Sequence, residues 1–245
     1  MKQINSARKS TIDPVKISNW RWQSFLNLAI NKLDQFELKS FPVSQKFLDK
    51  EVILGSKKNP LKVNISTWAC HTNKIRKARA ACLEAKNLAS VLNFVITPQE
   101  NFDLPFFGAD FVTLPTFHLL ALDLQPALEN DIQHTQNVWN RLMPLHRRWS
   151  SLLPFGGPIP QEAEKYFSPG FLWTKIPIGV QGDKLIREVI TPAFNEYLSL
   201  YLELLISSEE VEKNRSEIIL EGQKSYLKYR AINDPARPML ERFFG

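Results

Sequence analysis

Cysteine is scarce in this 245-residue chain, and cofactor motifs and long apolar runs are missing from it. Cys70 and Cys82 are the only cysteines, and neither belongs to a CxxC pair. No zinc or iron–sulfur ligand set is therefore written locally, and the chain reads as one of a reducing compartment. His71, His118, His134 and His146 show no ligand spacing, and His118 falls at an expected turn. A P-loop, a GxGxxG and a GxSxG are all lacking, so no phosphate cradle, dinucleotide turn or nucleophile elbow is indicated. No apolar run reaches the roughly 18 residues of a membrane span. Met1–Ser10 is polar, without the apolar core of a secretory signal, and no plastid transit peptide is apparent. Like charges never run to five in a row, which argues against a nucleic-acid stripe. Internal repeats and low-complexity segments are also missing.

What is present suits one domain over residues 1–245: 44% hydrophobic residues, 23% charged and a net charge of +6. The basic excess fits an acidic partner or a solvated basic surface. Residues 20–36 carry Trp22, Phe25, Leu26, Ala29, Ile30 and Leu33 at helical spacing. The stretch to about Pro60 mixes Pro, Gly and Lys and reads as loops. From Lys62 the period changes to two and predicts a strand into Trp68; residues 78–84 suit strand or helix, and residues 89–96 are β-rich. Residues 108–124 read as a hairpin turning at Pro115-Thr116. A helix through Val138, Leu142, Leu145 and Trp149 follows, then a strand at residues 171–173 and a helical stretch over 183–206 bent at Pro192. Ser207-Ser208-Glu209-Glu210 predicts the cap and acidic first turn of a last helix toward Tyr229. Strands joined by short turns imply an antiparallel sheet, and apolar residues on both strand faces imply helices on both sides: an α/β/α sandwich.

Polar residues inside these apolar strands are the candidates for chemistry. Asn93 shares a face with Val91 and Val95, Asp110 stands between Ala109 and Phe111, and Asp123 lies in Leu-Ala-Leu-Asp-Leu. A carboxylate so placed is paired, solvated or protonated, and desolvation would make it a proton donor near neutral pH. Either aspartate could equally face water at a strand end or pair with an Arg, and Asn93 could serve a neighbouring backbone group. Residue chemistry alone does not separate Asp110 from Asp123.

Leu104-Pro-Phe-Phe-Gly-Ala-Asp110 and Leu119-Leu-Ala-Leu-Asp-Leu-Gln-Pro126 resemble the ferredoxin-dependent bilin reductases. Phe167-Ser-Pro-Gly-Phe-Leu-Trp173, Pro192-Ala-Phe-Asn-Glu-Tyr197 and Asp234-Pro-Ala-Arg237 are similar to the same family, in the same order. Thr67-Trp-Ala-Cys70, Ser90-Val-Leu-Asn-Phe-Val-Ile96 and Leu153-Pro-Phe-Gly-Gly-Pro-Ile-Pro160 are similar to its phycoerythrobilin-forming branch.

The resemblance implies an antiparallel sheet between helix layers, with the bilin held between the sheet and the C-terminal helices. It implies two-electron reduction of the A-ring diene of 15,16-dihydrobiliverdin to phycoerythrobilin, through bilin radicals. It implies no bound cofactor and reduced ferredoxin as the external electron donor. Asp110 and Asp234 match the family's two acids, which leaves Asp123 structural. Asn93 stands where relatives making phycocyanobilin carry a histidine, and so becomes a pocket residue. Arg237 meets Asp234, a bilin propionate, or only a helix end. Lys74, Arg76, Lys77 and Arg79, or Arg147 and Arg148, are candidate docking patches for the acidic ferredoxin. The preceding dihydrobiliverdin-forming reductase is a further partner, and nucleic acid and membrane are not. A monomer in the cytoplasm or the plastid stroma is implied.

Two departures from the family stand out. Pro238 replaces the usual Gly after Arg237, and the chain stops at Gly245 where relatives continue, which reads as a truncated C-terminus. Reduction of biliverdin at the 15,16 bond or through to phytochromobilin, and bilin carriage without catalysis, are the alternatives.

Overall fold

Over residues 91–96, 107–112 and 117–122, buried and half-buried positions alternate, and this period of two builds one antiparallel sheet. The structure is a computed structural model describing residues 15–233 except Ser18 and Lys57. In chain order come α1 (Gln23–Leu33), β1 (Lys39–Ser40), the single turn α2 (Gln45–Leu48), β2 (Asp49–Ser56) and β3 (Asn59–His71). Next are β4 (Ile75–Ala85), β5 (Ala89–Pro98), β6 (Phe106–Thr113) and β7 (Phe117–Gln125). They are followed by α3 (Ile132–Ser150), α4 (Gln161–Glu164), β8 (Leu172–Pro177), α5 (Val180–Leu185), a π-helical turn (Ile186–Ile190), α6 (Thr191–Ser207) and α7 (Lys213–Asn233). The strand order is β1-β3-β4-β5-β6-β7-β8, and β2 pairs with another part of the same β3 edge as β1.

One face of the sheet is dry. Phe111 of β6 is fully buried and touches three rings: Trp22 at 5.3 Å, Phe25 at 4.8 Å and Phe194 at 5.7 Å between centroids. It thereby ties the sheet to α1 and α6, and α3 packs on α6. Both cysteines sit in this core, where burial above all pushes the Cys70 thiol up to about 12 and the Cys82 thiol higher still. The opposite face is crossed by α7, through Tyr226 stacked on Phe106 at 4.3 Å. Helices on both faces of an antiparallel sheet make the α/β/α sandwich expected from the sequence. Among the described residues no helix is long and apolar enough to cross a membrane.

Four local expectations are corrected. The stretch before Pro60 is not all loop, because β1, α2 and β2 lie in it. β2 is a charged edge strand whose Val52 and Leu54 pack on a small cluster around Val63, and such edges hide their period. Its turn needs Gly55 (φ +87°), where a Cβ would stand 2.6 Å from the Asn59 carbonyl oxygen. His118 is a fully buried strand residue rather than a turn residue, and its Nδ1 lies 2.9 Å from the Thr113 hydroxyl. Burial first, then the Arg21 charge, brings its imidazole down to about 4. The 183–206 stretch is interrupted by the π-helical turn just before Pro192, whose missing N–H breaks the regular ladder there. Finally, α7 starts at Lys213, because Glu210 is taken into a β-bridge with Phe102 instead of a helical first turn.

Replacing Phe111 with Ala is expected to cost about 3–5 kcal/mol, the usual penalty for a buried aromatic. Chemical denaturation should show it as a lowered midpoint with an unchanged slope.

Candidate active site

The half-open sheet face is read off the register, because directly opposed residues of antiparallel strands share a face. Thr67 opposes Ala81, Ala81 opposes Asn93, Asn93 opposes Asp110, Asp110 opposes Ala121 and Ala121 opposes Trp173. These six form one row across the sheet, and all are half-buried. In the next row Arg79, Val95, Gly108 and Asp123 are opposed in turn. Ala81 and Ala121 thus flank Asn93 and Asp110 along their row, and Gly108 lies diagonally beside Asn93, which leaves a low shelf at these positions. At Gly108 even a Cβ would stand 2.9 Å from Gln125 Oε1.

Two arginines reach this shelf. Arg79 donates to Asn93 Oδ1 at 2.8 Å, which fixes which way the amide points. Arg230 of α7 places Nη2 3.7 Å from Asp110 Oδ2; the Asp110 side chain is 44% exposed and that of Arg230 25%. Arg230 Nη1 also donates to the Tyr226 hydroxyl at 3.4 Å, and that hydroxyl donates to Gln125 Oε1. Aromatic rings bound the shelf. Trp173 lies over Gly156, where a Cβ would come within 2.2 Å of its ring, and Phe171 and Phe167 stack beyond it. Tyr166 stacks on Tyr229 of α7 at 4.2 Å.

The structure therefore brings Asn93 and Asp110 together as register partners. Asp234, Arg237 and Pro238 lie outside the described residues. Sequence reasoning missed Arg230 and Trp173, for which no local signal existed, since each joins the row only through tertiary register. Arg79 was noticed only as part of a docking patch. That patch is not assembled as a free surface. Lys74 Nζ donates to the Leu205, Ile206 and Ser208 carbonyls (3.0, 3.2 and 2.6 Å) at the end of α6. Arg76 pairs with Glu100 at 2.5 Å, and the Lys77 ammonium stands 5.5 Å from the Phe41 ring centre. In the other patch Arg148 pairs with Glu196 at 3.2 Å, and Arg147 is exposed.

Asp123 is enclosed completely. The Ser168 backbone N–H donates to Oδ2 at 2.9 Å, and the Ser168 hydroxyl bonds Oδ1. Burial pushes its carboxyl up from 3.8 to about 7 against the lowering effect of those bonds. Its place is structural, holding the Ser168 loop beside the shelf. The sign of the linkage follows: between about pH 4 and pH 7 the unfolded chain ionises here while the folded one resists, so this group's contribution to stability falls as pH rises across that window. Asp123→Asn keeps an acceptor for the Ser168 N–H and a donor for its hydroxyl. Urea unfolding at pH 4.5 and 7.5 should therefore show a smaller loss of stability on raising the pH for this variant than for the parent chain.

Comparison with known proteins bears on the family and the fold. The family model described as ferredoxin-dependent bilin reductase matches residues 26–245. The phycoerythrobilin:ferredoxin oxidoreductase of Prochlorococcus marinus (strain MIT 9211) is 59% identical over 238 residues, which covers 97% of this chain and 93% of that protein. The protein of the same name from Synechococcus sp. (strain RCC307) is 57% identical over 242 residues, covering 99% and 92%. Among solved structures, phytochromobilin synthase from tomato, in complex with biliverdin, superposes with a TM-score of 0.80 at 27% identity, covering 91% of this chain and 78% of that one. Sequence and fold together place the chain in the ferredoxin-dependent bilin reductase family.

Proposed function

We propose that this chain reduces the A-ring diene of 15,16-dihydrobiliverdin to phycoerythrobilin on the half-open sheet face. Family membership makes it a ferredoxin-dependent bilin reductase. Relatives 57–59% identical over nearly the whole chain carry the phycoerythrobilin:ferredoxin oxidoreductase name, which supports this product. The observation that carries the reading is Asp110, a half-exposed acid in the middle of the sheet face, opposite Asn93 and next to Ala121.

The stoichiometry is two electrons and two protons added to the pigment. Reduced ferredoxin delivers the electrons singly, so the bilin passes through radical states and itself carries the redox chemistry. The chain supplies orientation and protons. Asp110 gives one proton from the sheet side; Asp234, which follows α7 directly in the chain, gives the other. Asn93, its amide oriented by Arg79, presents its NH2 group to the bilin's polar edge. Arg237 binds a bilin propionate. Acting as one domain and as a monomer in the cytoplasm or plastid stroma, the enzyme takes its substrate from the preceding dihydrobiliverdin-forming reductase.

Anaerobic turnover with reduced ferredoxin, offering 15,16-dihydrobiliverdin and biliverdin separately, tests the reading. Phycoerythrobilin from the first alone is the expected result. Turnover of biliverdin instead would overturn the regiochemistry, and tight binding without reduction of either would make the chain a carrier. Asp110→Asn should bind bilin normally and lose roughly 100-fold or more in product formation, the scale of a lost proton donor.

The net charge of +6 adds a kinetic expectation. Docking of an acidic ferredoxin should slow as salt rises from about 50 to 500 mM, because screening weakens long-range attraction. Stopped-flow reduction of bound bilin would show it, and a salt-independent rate would count against electrostatic docking.

A further inference from the structure

Resting on that assignment of the shelf, we propose that Arg215 is a positioning residue of the reaction, clamping α7 against the sheet so that its far end meets the bilin. The need for a clamp is visible in α7 itself. Only Ile219, Gln223 and Tyr226 of its 21 residues are buried, whereas α6 buries nine of 17. Apolar burial therefore gives α7 little hold on the sheet.

Its first turn is held by charge instead. Arg215 Nε donates to Asp103 Oδ2 at 2.7 Å, Nη1 bonds Asp131 Oδ2, and Nη2 lies 3.2 Å from Asp131 Oδ1. The Arg215 side chain is only 14% exposed, and its partners sit on two other segments. Asp103 lies in the β5–β6 connection; Asp131 is the N-cap of α3, accepting the His134 backbone N–H at 3.0 Å. Burial raises the Asp103 carboxyl, but bonds from His134 and Arg215 outweigh it and hold it below the usual carboxylate range. The Arg215 bond does the same for Asp131.

His134 completes the clamp. Its Nε2 accepts the Ala127 backbone N–H at 3.0 Å, so the proton sits on Nδ1, which donates to Asp103 Oδ1 at 2.5 Å. That fixes Ala127, which lies directly against α7: a Cβ on Gly222 would stand 2.4 Å from the Ala127 carbonyl oxygen. Upstream, the Val211 N–H donates to the Asn101 carbonyl at 2.9 Å. Downstream, Tyr226 stacks on Phe106 and Arg230 reaches Asp110. The clamp thus sets where Arg230 meets the shelf, and Asp234 follows the same helix in sequence.

The test uses the full chain with Arg215→Met, Arg215→Lys and Gly222→Ala. Titration with 15,16-dihydrobiliverdin measures binding, and anaerobic single turnover with reduced ferredoxin measures the rate per bound bilin. Amide exchange over residues 213–233 and over β5–β7 reads the helix and the sheet separately. Arg215→Met is expected to bind bilin yet reduce it roughly tenfold or more slowly, since small misplacement is costly to catalysis. Exchange should rise in α7 alone, with partial recovery in Arg215→Lys. Gly222→Ala favours helix by about 1 kcal/mol, yet by displacing α7 it should also slow turnover. A wild-type rate per bound bilin in Arg215→Met would overturn the proposal. So would exchange rising equally in β5–β7, or an unslowed Gly222→Ala. If the parent chain itself reduces no bilin, the functional reading fails, and the exchange experiment still decides whether the clamp holds α7.

Discussion

Directly opposed residues in an antiparallel pair must point to the same side of the sheet, and the rest of this structure depends on that constraint. Five successive pairings carry Thr67, Ala81, Asn93, Asp110, Ala121 and Trp173 into one row. The same pairings send Phe94, Phe107 and Phe111 to the other side, where α1 and α6 bury them. A slip of one residue in β6 would put Asp110 into the aromatic core and Phe111 onto the shelf. The dry face makes that slip prohibitive, because Phe111 would lose three ring partners while a charge was buried without one. The aromatic core thereby guarantees the position of an acid it never touches.

Two aspartates one row apart on that face have opposite environments. Asp123 lies beyond the end of β8, where the Ser168 loop closes over it and burial keeps its carboxyl near 7. Asp110 lies where β8 still pairs, next to Ala121 rather than under a loop, and is approached from above by Arg230. Loss of solvent governs the first and a neighbouring guanidinium meets the second. A flat conjugated molecule entering between the shelf and α7 would displace water from Asp110 while leaving Asp123 unchanged, so only one of the two can respond to a ligand.

Sequence periodicity revealed most of the fold and half of the site. The hairpin at Pro115-Thr116, the strand at 89–96 and the long helix through Val138 and Trp149 were legible because each buries one face and so repeats at its own period. β1 and β2 were not, since charged edge strands with one partner show no such repeat. The Ser-Ser-Glu-Glu cap signal before α7 was outcompeted by a tertiary bridge between Glu210 and Phe102, which local propensity does not encode. Within the site, Asp110 and Asp123 were indistinguishable as residues. What separates them is Ser168, 45 positions away, which closes over Asp123 alone, and before the structure only family resemblance told the two apart. Arg230 was invisible for the same reason, because it sits on a helix with almost no apolar stripe.

That lack of an apolar stripe has a physical use. A helix sealed onto the sheet by nine buried side chains, as α6 is, would leave no room between them for a ligand. A helix docked by a polar clamp at one end and by Tyr226 at its middle can stand off the sheet over the shelf. Buried ion pairs add little net stability after desolvation, but their directional bonds tolerate few alternative geometries. The Arg215 network accordingly suits a wall whose position matters more than its strength. Elements that line ligand sites are drawn from the less stable parts of a fold, and here the cause is local: the wall must give up apolar contact with the sheet for the shelf to exist at all.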